Sequence, residues 1–354
     1  MADIGDFHSD SDINYQLSEH ILPNAVNTIT RWHSFWDIRV LMNPLRPIIQ
    51  RYYGKVLQRY IRKELNARTK GPSSAISLAI DAFFQEKKNE EVSETMELDE
   101  DFAAIVSHQI RLFLFAGTDT TSSTLAFVYH LISKHPEVVS RLREEHNQVF
   151  GPDPSSVSGL LKAKPTLLNQ CPYTLAVIKE TLRIYPPATN LRQGTTGVSL
   201  PALNGQLLPT EGLFIIINHQ AIHQNPRIWK QANEFLPERW LVPSDHDLYP
   251  PAGAYRPFDI GSRACIGQTL SLIEMRIALV MTCRTFDLRP AYGEWDRIRA
   301  RDAGWWRRIG GMMGFGRGEM KEVRGDRAYQ TEKAGTHPSD GYPCRVSVLG
   351  GGGL

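Results

Sequence analysis

Phe258-Asp259-Ile260-Gly261-Ser262-Arg263-Ala264-Cys265-Ile266-Gly267 is the stretch on which the reading of this chain turns. Two glycines, one arginine and one cysteine stand at fixed offsets just before an apolar-periodic segment, so the backbone is predicted to turn tightly against something flat. In that segment Ile266, Leu270, Ile273, Ile277 and Val280 follow one another at spacings of 4, 3, 4 and 3, which predicts a helix resuming at Ile266 with Cys265 at its N-terminus. The partial positive charge of a helix start lowers a thiol pKa and favours a thiolate at Cys265. An arbitrary lone cysteine is more often a small buried hydrophobe. The surrounding F-x-x-G-x-R-x-C-x-G pattern argues against that reading here.

Upstream, residues 225–264 are rich in proline, glycine and aromatics and read as irregular but ordered loop. Short strands are predicted over Gly194–Leu200, Gln206–Pro209 and Leu213–Asn218. Tyr173–Tyr185 is predicted to be a helix that stops at Pro186-Pro187, because proline lacks the N–H and restricts the residue before it. Pro136 starts a helix to Phe150, and a long helix is predicted from about Phe102 to Lys134, fed by an acidic loop, Asn89–Asp101. The centre of the long helix breaks its apolar pattern with Ala116-Gly117-Thr118-Asp119-Thr120-Thr121-Ser122-Ser123. A helical glycine costs about 1 kcal/mol against alanine, so this polar insert needs a reason. A further helix is predicted over Pro47–Arg68, with Ile48, Ile49, Tyr52, Val56 and Tyr60 near helical spacing. From Ala291 the chain alternates arginine with glycine and reads as low order.

The chain has 354 residues, 42% hydrophobic and 22% charged, which is enough to bury a sizeable core and excludes disorder for its bulk. Forty Lys and Arg against 38 Asp and Glu leave a net charge of +2, too balanced for nucleic-acid binding driven by a basic field. Cys171, Cys265, Cys283 and Cys344 lack both C-x-x-C spacing and the density of a disulfide scaffold. The N-terminus is polar and acidic without a signal-peptide pattern, and no run approaches the length of a membrane span.

The Phe258–Gly267 stretch resembles the haem-binding loop of cytochromes P450, in which the cysteine thiolate is the proximal iron ligand. The resemblance implies that Cys265 is the axial ligand of haem b (iron protoporphyrin IX), with Phe258, Gly261, Arg263 and Gly267 shaping the cofactor site. Ala116-Gly117-Thr118-Asp119-Thr120-Thr121 is similar to the family's oxygen-activation signature, which gives the polar insert its reason. On that likeness Asp119 and Thr120 relay protons through water. Lys179-Glu180-Thr181-Leu182-Arg183 matches the family's E-x-x-R, and Pro237-Glu238-Arg239-Trp240 its P-E-R element, so Glu180, Arg183 and Arg239 are expected to form a buried network. Arg192 stands like the family arginine that pairs with a haem propionate, and Arg263 like a second, since a guanidinium binds a carboxylate bidentately. His223 is as well read as a packed loop histidine as a propionate contact.

The implied fold is mainly α with a small β-rich subdomain. The implied function is a haem-thiolate monooxygenase that oxidises an apolar organic substrate with dioxygen, drawing electrons from NADPH through a cytochrome P450 reductase. The segments around His219–Trp229 and Pro237–Glu274 look like fungal membrane-bound members, many of which serve secondary metabolism. The resemblance is strong over Tyr52–Pro290 and resumes at Tyr342–Arg345. The chain is therefore expected to be a partial P450 domain over residues 1–290, lacking the anchor and first helices and strands, followed by a low-order segment over 291–354 with the last strands. Trp36 and Arg39 are three apart rather than the family's four and are assigned no role. The rival readings are an inert or haem-binding-only fragment, or a peroxide-rearranging enzyme, against which Asp119 and Thr120 argue. The family implies the endoplasmic reticulum membrane, and a chain without an anchor implies the cytoplasm.

Overall fold

The computed structural model describes residues 42–67, 100–302, 322–333 and 335–349, together with Ala25, Thr28 and Ile29. Residues 1–116 and 117–354 form two separate compact units. In the first, α1 (Arg46–Ala67) starts after Asn43, whose side chain accepts the Leu45 N–H at 3.0 Å. Ile48 and Tyr52, on the stripe predicted to be apolar, are exposed, and Gly54 and Leu57 are buried instead. A Cβ on Gly54 would stand 3.3 Å from the Arg111 guanidinium. The side chain of Tyr60 lies outside the described residues. So do the tail residues 303–321 and 350–354, the acidic stretch 89–99, and Trp36 and Arg39.

α2 (Glu100–Lys134) begins in the first unit and continues into the second. There it joins α3 (Pro136–Phe150), α4 (Val157–Ala163), α5 (Pro172–Ile184), α6 (His219–His223) and α7 (Gln268–Thr282). The core gathers Val128, Leu131 and Ile132 of α2, Val138 and Leu142 of α3, Tyr173, Val177, Ile178 and Leu182 of α5, and Met275 and Leu279 of α7. Each such side chain contributes about 1.5–3 kcal/mol by leaving water. α3 shows a single buried stripe, Val138, Leu142, His146 and Phe150, at four-residue spacing. α5 is buried nearly all round, including Glu180 and Arg183, so it is the central helix rather than an amphipathic surface one. Its free N-terminal amides are capped from outside: Glu145 of α3 accepts from Tyr173 N at 2.6 Å and Thr174 N at 2.9 Å.

α7 departs from the predicted pattern. It starts at Gln268, and its buried residues are Met275, Leu279 and Val280, with Leu272 partly buried against the core. Of the five residues read as the core face, Val280 is buried and Ile273 packs against its cluster, whereas Ile266, Leu270 and Ile277 are 89%, 50% and 37% exposed. The segment is apolar on more than one side, so periodicity alone does not choose the buried face.

Among the described residues the β structure is four antiparallel two-stranded sheets. β1 (Asn190–Gln193) pairs with β4 (Phe214–Ile217), and β2 (Ser199–Pro201) with β3 (Leu207–Pro209). Of the strand predicted over Gly194–Leu200 only Ser199 and Leu200 are strand, in β2, and residues 194–198 are loop and turn. A Cβ on Gly194 would lie 1.6 Å from the Thr210 carbonyl, so the chain crosses itself there instead of continuing a ladder. Beyond Ala291 the structure holds α8 (Tyr292–Asp302), the hairpin β6 (Gln330–Lys333) and β7 (Gly335–Pro338), and β8 (Cys344–Val348). β8 pairs with β5 (Phe286–Pro290), so the pairing crosses the boundary drawn at residue 290 and the low-order reading fails for these elements. Arginine content misled it: Arg327 bonds Asp296 and Asp340, and Arg345 bonds Glu294, so these arginines hold the segment together. The fold is mainly helical with small antiparallel sheets, and among the described residues no helix is long and apolar enough to cross a membrane.

Candidate functional site

The Phe258–Gly267 loop is anchored at one end and open at the other. Phe258 packs against the core, and its carbonyl accepts the Cys265 N–H at 2.8 Å, closing the loop on itself. Gly261, which opens a single 3-10 turn over Gly261–Arg263, has φ +84°, a conformation natural to glycine. Cys265 is a free, exposed thiol three residues before Gln268 rather than at the first residue of the helix. Gly267 has an ordinary φ of −84°, and a Cβ there would come to 3.8 Å from the Cys265 sulfur.

Arg192 lies on β1 and its guanidinium contacts the Asp259 carboxylate, which brings the strand to the cysteine loop. Asp259 also accepts from Arg256 at 3.1 Å. Burial alone would push the Asp259 carboxyl up, but hydrogen bonds from the Ile260 N–H, Arg256 and Arg192 outweigh it and hold the group below its ordinary range. Arg263 is exposed. Neither Asp259 nor Arg256 was singled out from the sequence, although both lie within or beside the decisive stretch; the signal was an acid flanked by arginines in a loop expected to bind an anionic group. His223 is fully buried, and its Nε2 accepts the Arg256 N–H at 2.9 Å, so the ring is a neutral strut under the loop. Burial, reinforced by His219 and Arg183, pushes its pKa down to about 4.

Glu180, Arg183 and Arg239 meet in the interior, all at most 1% exposed. Arg183 forks onto Glu180 with contacts of 2.8 and 3.0 Å and donates to the carbonyls of His223, Ala232 and Glu234. Arg239 reaches Glu180 at 3.5 Å, and Glu180 also accepts from Leu236 N and Trp240 Nε1. Trp229 lies under both guanidiniums, 5.4 and 5.6 Å from its ring. The cluster pins the loop that runs from α6 to the cysteine.

On α2, Gly117 and Thr118 are exposed and Asp119 is buried. Ser122 and Thr124 turn back to the carbonyls of Asp119 and Thr120, at 3.2 and 2.8 Å. The Thr121 hydroxyl is buried without a partner among the described residues. Asp119 is held by the β6–β7 hairpin, a contact invisible in the sequence pattern.

The exposed thiol is flanked by apolar Ile266 and Leu270, with Arg192, Arg256 and Arg263 in or beside the same loop. A soft sulfur donor, an apolar face and guanidiniums suit a flat apolar group that carries a thiolate-binding metal and carboxylates, so the residues fit a haem. Among the described residues no group of three or more His, Cys, Asp or Glu could hold a bare metal ion.

A family model described as Cytochrome P450 matches residues 11–301. The chain is 37% identical to the cytochrome P450 monooxygenase polC of Polytolypa hystricis over 99% of its own length and 61% of that relative. It is 32% identical to the cytochrome P450 monooxygenase acrF of Aspergillus aculeatus, over 86% of the chain and 63% of the relative. A third similar protein, the cytochrome P450 monooxygenase PC-23 of Penicillium crustosum, is 32% identical over 62% of the chain and 98% of itself. The chain thus spans less than two thirds of the length of the first two.

Proposed function

The chain belongs to the cytochrome P450 family, and from that premise we propose that it is a haem-thiolate monooxygenase of fungal secondary metabolism, acting on an apolar organic compound. The observation that carries the proposal is the exposed Cys265 thiol at the end of a loop closed onto the Phe258 carbonyl. The exposed Ile266 and Leu270 supply an apolar bed beside it.

In this reading Cys265 Sγ would bind the iron, and Arg192 and Arg263 would hold the carboxylates of the porphyrin. Haem supplies the activation of dioxygen, one atom of which enters the substrate while the other leaves as water. Thr120 would present a hydroxyl proton, and Asp119, taking up a proton from water on a free lone pair of its carboxylate and passing it on, would replenish it. Glu180, Arg183 and Arg239 act on structure alone, by keeping the loop to the cysteine in place. The electrons come from NADPH through a flavoprotein reductase, and the endoplasmic reticulum surface is the expected site of work. Relatives that are fungal P450 monooxygenases support the assignment of class.

The test is turnover by the haem-loaded chain with NADPH–cytochrome P450 reductase and a panel of apolar compounds under labelled dioxygen. The expected result is a product bearing one labelled oxygen. Thr120→Ala is expected to retain haem and consume NADPH while losing most product. A haem-loaded chain that consumes no NADPH with any compound would instead support a haem-binding protein without turnover.

A further inference from the structure

The C-terminal hairpin β6–β7 is docked on the polar stretch of α2. Asp119 Oδ2 accepts the Gly335 N–H at 2.9 Å, and Oδ1 lies 2.9 Å from His337 Nε2. An ionised carboxylate can only accept, so this contact places the proton on His337 Nε2. The Ser123 hydroxyl donates to the Thr336 carbonyl between them. The hairpin's other contacts run to the end of α5: Thr336 N donates to the Pro187 carbonyl at 2.9 Å, and Thr336 Oγ1 and Gln330 Nε2 donate to the Pro186 carbonyl at 3.0 Å. Docking is tight enough to require glycine, since a Cβ on Gly335 would stand 2.6 Å from Asp119 Oδ2 and 3.3 Å from the Pro187 carbonyl. Asp119 is therefore 6% exposed although Gly117 and Thr118 beside it are open.

A carboxylate on a helix surface is free to turn about two side-chain bonds. Here both oxygens are held by donors 216 and 218 residues away in the chain, which leaves one orientation. We propose that His337 is the positioning residue for Asp119: with the Gly335 N–H it fixes the carboxylate beside Thr120, so the C-terminal hairpin sets the geometry of proton delivery. The inference rests on the reading of Asp119 as the group that replenishes the Thr120 proton.

The test uses the haem-loaded full chain and three variants, Asp119→Asn, His337→Phe and His337→Gln. Two quantities are read: product formed per NADPH consumed, and deuterium uptake by the peptide covering Gln330–Pro338. Asp119→Asn removes the acid and leaves an amide whose oxygen can accept from one of the two donors, while its NH2 bonds His337 Nε2 only if the ring moves its proton to Nδ1. Its coupling is expected to fall about tenfold or more, with hairpin exchange rising no further than the about fivefold expected for His337→Phe. His337→Phe is expected to lower coupling about tenfold and to speed hairpin exchange about fivefold. His337→Gln, whose amide N–H can donate in the same place, is expected to restore both to within about threefold of wild type. Wild-type coupling in His337→Phe, with or without faster exchange, would overturn the inference, and so would a glutamine that fails to rescue. Full coupling in Asp119→Asn would instead bring down the proton-delivery reading itself, and the exchange data would still report whether the contact exists.

Discussion

In the Glu180–Arg183–Arg239 cluster every charge is enclosed and answered by protein: the carboxylate takes two guanidiniums, one backbone N–H and one indole N–H. In the Cys265 loop, some twenty residues further along the chain than Arg239, the thiol is exposed and its neighbours Ile266 and Leu270 face solvent. Both regions are polar islands beside the same core, yet one is saturated and the other is not. A buried charge persists only when its partners are supplied in full, whereas an accessible soft donor on an apolar bed is a place where a partner from outside the chain completes the contacts. Stability and chemistry are thereby housed apart, and substitutions should separate them.

The largest effect is expected from Glu180→Ala, which leaves two buried guanidiniums without their anion. Urea unfolding should show a loss of about 3–5 kcal/mol, with haem loading failing only as a consequence. Next comes acid. Burial holds His146 and His223 neutral and pushes both pKa values down to about 4 from 6.5. Between pH 6.5 and about 4 the unfolded chain takes up protons that the folded chain refuses. The contribution is therefore fully present above that window and is lost as pH falls through it, by about 3 kcal/mol or less for each residue. The urea midpoint should fall over that range, and His146→Gln should flatten the fall.

Asp259→Asn is expected to cost about 1 kcal/mol, because it weakens the contacts to Arg192 and Arg256 in a part-exposed setting. It would also tie the saturated side to the open one: if Arg192 then holds a porphyrin carboxylate unaided, haem affinity should survive, as a haem titration would show. The smallest change in stability, within about 0.5 kcal/mol, is expected from Cys265→Ala in the haem-free chain, since an exposed thiol contributes little to packing.

Much of this division was legible in the residues. The helix Pro172–Ile184 was marked by its period and by the proline pair that ends it, and Glu180 and Arg183 fall one turn apart on it. The cysteine loop announced itself through glycine, arginine and cysteine at fixed offsets. What escaped depended on distant partners. Asp119 looked like a solvent-linked acid, and only the docking of Gly335 and His337 shows that its oxygens are taken. Ile266, Leu270 and Ile277 satisfied helical periodicity as well as the Met275 and Leu279 stripe does, so the exposed face could not be told from the buried one by spacing. The helix at Tyr292–Asp302 was hidden by arginines that read as disorder until Arg327 and Arg345 found carboxylates on it.

The central claim is that Cys265 is the iron ligand, and the reduced, carbon-monoxide-bound difference spectrum of the haem-supplied chain tests it most directly. The account predicts a thiolate-type Soret band in the wild type and its complete loss in Cys265→Ala, with the urea midpoint of the haem-free variant unchanged. A thiolate-type band that persists in Cys265→Ala, or folded wild-type protein that never shows one, would contradict it.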